Sequence, residues 1–434
     1  MRRARDGNVP SWVDELGERA WSCFDELGFP TARRGNEKWK YTNVAPIART
    51  PFTYSTASPD VALSAAKLRR RVPWKSDWLN LVFVNGRFAK ALSTNQESPD
   101  GLQVTSLAEV IKSDGRIVEQ HLAKYASYQD DGFTALNTAF LSDGAFVNIP
   151  EGCATSPIVN VVFVAVDRPQ PSVSYPRTLI VVGSNAKATI VETFVGWGDS
   201  QYFSNAVTEI ELGDGSAVDH YRLLLESPQS FHVGTTRVRQ GQDSSFASTT
   251  FELGTALARY DLQVLLDAPG SSCALNGLYL TTDKQHVDNL ISIDHAKPHT
   301  TSRLFYKGIL DGKSKAVFGG EVLVRKDAQK ANAHQTDKNL LLSAQAEVDS
   351  KPSLLIYADD VNCGHGATAG NVDPNALFYM RSRGLDLETA SRMLIHAFAL
   401  EIIETVKLGP LQKYLDRLFL KAIPTTALPT GGAQ

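Results

Sequence analysis

The chain is short of the features that would place it outside the cell, in a membrane or on a nucleic acid. Four cysteines stand in 434 residues, at Cys23, Cys153, Cys273 and Cys363, and no two form a C-x-x-C pair. So sparse a set excludes a disulfide framework and a self-sufficient four-cysteine cluster site, and it suits a reducing compartment. Neither sign of charge dominates: 44 Lys and Arg stand against 47 Asp and Glu, a net charge of −3. Without a basic footprint, nucleic acid is not an expected partner. No apolar run approaches the ~20 residues of a membrane-spanning helix, so no membrane is expected either. The first residues, MRRARDGNVP, are basic, but no apolar stretch of a secretory signal follows them. Cytoplasmic localisation is therefore the expectation.

A further lack is the most informative. From about Phe133 the chain shows almost no helical periodicity. Segments such as IVNVVFVAV, KATIVETF, SSFASTTFEL, ALNGLYLTT and KAVFGGEVLV alternate β-branched or aromatic residues with polar ones. Turn glycines at Gly183, Gly213, Gly241, Gly270 and Gly312 are 30, 28, 29 and 42 residues apart. These gaps are near multiples of ~14, one strand and one turn, and the paired spacing lies within known repeat periods. A doubly wound α/β fold needs helical crossovers and is excluded. A meandering sandwich and a β-solenoid both remain, and periodicity does not choose between them.

Helical signal is confined to the two ends. Ser11 is placed to cap a helix to Gly28, with Asp14 as its capping-box partner and Trp12, Leu16, Ala20, Phe24 and Leu27 on one face. Residues 51–80 read as a linker with one short helix, and Leu81–Phe88 as a strand that ends at an Asn85-Gly86 turn. After Asp373-Pro374 the period changes to 3.6. Asp386 is placed to cap a helix to about Lys407, ended by Gly409-Pro410, and a shorter helix and a disordered tail from Ile423 follow. The expected units are 1–132, 133–372 and 373–434.

Chemistry concentrates in Asp359 to Arg383, DDVNCGHGATAGNVDPNALFYMRSR. In extended chain, Cys363 and His365 emerge on the same face. Gly364 and Gly366 leave room for another backbone. Two soft ligands are half of a tetrahedral iron or zinc site, so the rest must come from elsewhere. From the spacing alone, a buried cysteine beside a hydrogen-bonded histidine is the better reading, because one C-x-H pair is a weak signal. Two other constellations compete. Gly308-Ile309-Leu310-Asp311-Gly312-Lys313-Ser314 imitates a phosphate-binding loop, but it has one residue too few and joins two strands, so no nucleotide is expected here. His286, Asp288, Asp294, His295 and His299 carry the donors of a hydrolytic metal site, although Asp294 and His295 point to opposite faces.

DDVNCGHGATAG followed by LFYMRSRGLDLETA resembles the C-terminal signature of the SufB/SufD family of the Suf iron–sulfur cluster assembly machinery. Pro30, Thr31, Glu37, Trp39, Lys40, Tyr41 and Thr42 resemble the family's P-T-x-x-x-E-x-W-K-Y-T element, with two more residues between Thr31 and Glu37. FTALNTAFLSDGAFVNIPEG and the Asn332 to Ser343 run are also shared family sequence. The SufD branch is favoured, because D-D-V-x-C-x-H-G-A-T stands where SufB has V-x-H-E-A-T. Gly364 replaces a commoner Ser and Asn362 a commoner Lys, and neither change removes a ligand. The resemblance implies a mainly β fold, a right-handed parallel β-helix flanked by helical regions. It implies a non-enzymatic scaffold that pairs with SufB through the β-helix and receives the SufC ATPase on its C-terminal helices. A nascent Fe–S cluster shared with SufB would form at their interface, with Cys363 and His365 as this chain's ligands. By position, Phe378, Tyr379, Arg383, Leu394 and Phe398 would meet SufC. The alternatives are a β-helix hydrolase built on the His286 to His299 group, and a SufB-like homodimer.

Overall fold

A computed structural model of the chain describes residues 9–32, 36–54, 63–94, 101–153 and 157–424. Its body is a β-solenoid. Successive strands alternate between two sheets, so each strand pairs in parallel with the strand two places on. One sheet runs from Gln103–Ser106 to Glu347–Ile356 and the other from Arg87–Phe88 to Asn362–Gly370. One coil takes 28 residues where Phe203 pairs with Phe231, and 29 where His286 pairs with Lys315. This is the paired spacing of the turn glycines. The strand Leu79–Val84 already belongs to the stack, parallel to Ile158–Val166.

Alternation along each strand sends one set of side chains into the solenoid and the other outward. The inward set forms a continuous core that includes Val161, Ile190, Phe246, Leu275, Ile293, Phe318 and Val324. The interior is not wholly apolar. Glu192, His220, Arg222 and Glu252 are buried inside it, with His220 Nε2 3.0 Å from Glu192 and Arg222 3.3 Å from Glu252. One inward column runs Glu192, Arg222, Thr250, Gly277, Tyr306, Asp337 and Ala367 through successive coils. Gly277 is required there, since a Cβ would sit 2.1 Å from the Tyr306 ring.

The outward faces are covered from the two ends of the chain. Trp39, Val44 and Ile47 pack on Phe203, Phe231, Val233 and Leu257 of the first sheet. The C-terminal helices Leu387–Ile403 and Gly409–Ala422 lay Ile395, Ile402, Leu411 and Phe419 on Tyr221, Phe251, Leu278 and Ile309 of the second. These helices therefore sheathe the solenoid's side, and among the described residues none of them caps its last coil. At the opposite end the short antiparallel strands Arg87–Phe88 and Gln103–Ser106 close the two sheets.

Several local expectations change. The first helix is Ser11–Leu27, but Pro10 is its cap residue and Ser11 makes no side-chain cap bond. Asp386 does cap Leu387–Ile403, accepting from the Thr389 N–H. That helix stops short of Lys407. Gly409-Pro410 instead opens Gly409–Ala422, because proline suits a helix's first turn, where no donor is needed. The one short helix expected within 51–80 is present as Ala65–Arg71 and buries Leu68, while residues 55–62 of that stretch lie outside the described residues. The tail beyond residue 424 lies outside the described residues.

Candidate functional site

Cys363 and His365 lie on Asn362–Gly370, the last strand of the second sheet. Cys363 pairs with Ala333 and His365 with Gln335, both of which face the interior. The two side chains thus share the inward face of the final coil, as their spacing requires. Cys363 is half-buried against the core, and burial pushes its thiol up from the ordinary range. His365 is exposed, with Nδ1 3.3 Å from the Gln335 amide nitrogen. Gln335, itself anchored to the Ser353 carbonyl at 3.2 Å, orients the ring.

Gly364 and Gly366 are not needed by this chain's own packing. A Cβ on Gly366 would meet nothing within 4 Å, and one on Gly364 would meet only His334, at 3.5 Å. The outer side of the strand is open. So is the neighbouring edge strand, Glu347–Ile356, where Leu355 and Ile356 are exposed beside Tyr357. Among the described residues no strand pairs with the outer edge of either last strand, so both sheets end there on open hydrogen-bonding edges, a template for another chain. Among the described residues, no three of His, Cys, Asp or Glu gather to hold a metal ion.

The competing constellations come apart. His286 Nε2 is 3.0 Å from the Thr42 hydroxyl, and Asp288 accepts from Thr42 and pairs with Arg259. These groups anchor the N-terminal segment, where Arg259 stacks 3.9 Å from the Trp39 ring. Asp294 pairs with Arg325 at 2.6 Å, while buried His295 is held by Thr300 and Ser302 at 2.7 and 2.8 Å. His299 occupies a turn at φ 60°. Among the described residues the group is dispersed among structural contacts and gathers no three donors for a metal ion. In the phosphate-loop imitation, the Gly312 N–H donates to Ser343 Oγ and the Lys313 N–H to the Asp283 carbonyl. The donors that would cradle a phosphate are committed to neighbouring coils.

With this geometry in place, the comparisons with known proteins are decisive. Residues 163–398 match the family model of the SUF system FeS cluster assembly SufBD core domain, and residues 5–161 that of the SufBD protein N-terminal region. The chain belongs to the SufBD family. An iron–sulfur cluster assembly SufBD family protein of Synechocystis is 33% identical over 388 residues, 87% of this chain and 84% of that one. The iron–sulfur cluster assembly protein SufD of Escherichia coli is 30% identical over 382 residues, 88% and 86% of the two chains. The SufD of Bacillus subtilis is 24% identical over 415 residues, 94% and 93%.

The residues expected to meet an ATPase partner fall into two groups. The family chain's helix Pro374–Ser382 buries none of its residues, and Phe378 and Tyr379 are 75% and 59% exposed. Arg383 lies over the Tyr379 ring and donates to its hydroxyl at 3.0 Å. Leu394 and Phe398 instead pack partly against the solenoid. Buried Lys307 donates to the Phe398 carbonyl at 2.7 Å, sits 3.9 Å from its ring and pairs with Glu401 at 2.8 Å. Sequence reasoning also passed over Gln335 and Asp337, which lie inside the ANAHQTDKN run. Their signal was faint: two polar residues two apart, in step with the buried Ala333.

Proposed function

We propose that this chain is a non-catalytic scaffold for iron–sulfur cluster assembly, paired with SufB and served by the SufC ATPase. The observation that carries this reading is the open last coil. It presents a thiol and an imidazole side by side, with both sheet edges unpaired around them. Half a coordination set on a bare edge makes cluster capture depend on a second subunit, which supplies the remaining ligands as it docks. The nascent Fe–S cluster is cargo, shared with SufB and then passed on. None of the described helices is long and apolar enough to cross a membrane, and the cytoplasm is the proposed compartment. In the absence of SufB the same edges would serve a second copy of this chain.

His365→Ala in the co-expressed complex is expected to lower its iron and sulfide content about tenfold. Because His365 is exposed, the isolated variant should keep its unfolding midpoint, with a change of no more than ~0.5 kcal/mol. Normal cluster content would remove His365 from the site.

A second experiment addresses the ATPase. Phe378→Ala with Tyr379→Ala removes two exposed aromatic anchors of the kind that dominate interfaces, at ~2 kcal/mol or more each. Titration calorimetry with purified SufC should show the loss, while association with SufB is retained. Unchanged SufC affinity would move that contact elsewhere.

A further inference from the structure

One coil beneath Cys363 and His365, the strand Asn332–Leu341 turns Gln335 and Asp337 into the solenoid. They are 2% and 1% exposed. Asp337 Oδ2 accepts from Asn339 Nδ2 and from Ser350 Oγ, each at 2.7 Å. Its Oδ1 has no partner among the described residues, and neither does Gln335 Oε1. Only the bonds from Ser350 and Asn339 oppose the desolvation of this carboxyl, and no cationic side chain does so. Every other interior carboxylate named above has a basic partner: His220 serves Glu192, and Arg222 serves Glu252.

A buried carboxylate without a cation is costly, and it either keeps its proton or recruits a cation. The surroundings favour recruitment. In the last coil the register partner of Asp337 is Ala367, a single methyl group, and Ser350 is itself exposed. A small ion therefore has a short path from the open end. Gln335 Oε1, two residues away on the same inward face, is a second free oxygen donor.

We propose that Asp337 anchors a divalent-cation site, with Gln335 as its second protein ligand and water completing the shell. Carboxylate, amide and water oxygens define the class of ion: a hard divalent cation such as Mg²⁺, Ca²⁺ or Mn²⁺, and not a thiolate-seeking metal. The site adjoins the Cys363–His365 pair, since Gln335 Nε2 lies 3.3 Å from His365 Nδ1, but its ion would be held by different donors one coil deeper. Its occupation does not rest on the cluster reading.

The test is titration of the metal-free isolated chain with Mn²⁺, followed by the electron paramagnetic resonance signal of the free aquo ion. Wild type should take up Mn²⁺, Asp337→Asn should bind at least ~10-fold more weakly, and Cys363→Ala with His365→Ala should bind like wild type. No uptake by folded wild type, or equal binding by Asp337→Asn, would overturn the site. Loss in the Cys363/His365 double variant would overturn its separateness. Should Asp337→Asn lose its circular dichroism, Gln335→Met carries the test, with binding several-fold weaker expected and unchanged binding sinking the proposal. The cluster reading is judged separately, by the His365→Ala complex.

Discussion

Glu209→Ala should cost about 4 kcal/mol and loosen the N-terminal region from the solenoid. Glu209 is fully buried and pairs with Arg177, which is equally inaccessible. The same carboxylate accepts three backbone N–H groups, from Ala123, Tyr125 and Ala126, each at 2.9 Å. It is thus both a counter-charge and the acceptor for a loop that lacks secondary structure of its own. Alanine orphans three backbone donors, that of Ala126 buried and those of Ala123 and Tyr125 partly so, and one buried guanidinium. Arg177 keeps only Asn137 and Thr138, at 3.0 and 3.2 Å, which supply dipoles and no charge. Leaving a buried ion unpaired is the costlier half of breaking such a pair. Hydrogen exchange reads the effect directly. The amides of Ala123, Tyr125 and Ala126 should exchange about a thousand-fold faster, the equivalent of ~4 kcal/mol. Glu209→Gln, which keeps an acceptor but not the charge, should fall between. Exchange within tenfold of wild type would mean that the pair is not what holds this loop.

How much of this was legible in the chain follows from what alternation can and cannot encode. The coil length was, because turn glycines recur at the interval by which the strands are registered. The pairing of Cys363 and His365 on one face was too, since a period of two needs no tertiary information. The polar interior was not. Alternation reads a polar residue as outward, yet Glu192, His220, Arg222 and Glu252 point inward and satisfy one another between coils, and Asp337 points inward without a basic partner. Only the stacking register brings such partners together, and it joins residues about 30 positions apart. Sequence also placed helices at both ends of the chain without showing what they cover. The apolar stripe of Leu387–Ile403 says that the helix is covered but not by what. It lies along the second sheet because Tyr221, Phe251, Leu278 and Ile309 form an outward apolar strip there. Lys307 then fastens it in place. This bears on the proposed function, which needs the last coil to stay open while the helices cover the side.

Asp337→Asn should stabilise the metal-free protein at neutral pH by about 2 kcal/mol, an unusual sign for a substitution at a buried polar residue. Burial raises the Asp337 carboxyl from 3.8 to about 6. Between those values the folded chain holds a proton that the unfolded chain has released. Stability therefore falls as pH rises through this window, and above it the full penalty is present. A shift of roughly two units corresponds to ~3 kcal/mol, of which imperfect amide geometry returns a part. Asparagine places an oxygen where Oδ2 accepts from Ser350 and Asn339, and an uncharged group where Oδ1 stands alone. It mimics the protonated acid and does not titrate. Urea unfolding in chelator at pH 8 should show the variant as the more stable protein, and the two curves should converge below about pH 4, where both states of the wild type are protonated. Millimolar Mn²⁺ should then raise the wild type alone, by the linkage that any ligand of the folded state obeys. Equal stabilities across the whole pH range would mean that the carboxylate has a cation beside it already, and with that both the penalty and the reason for a metal would disappear.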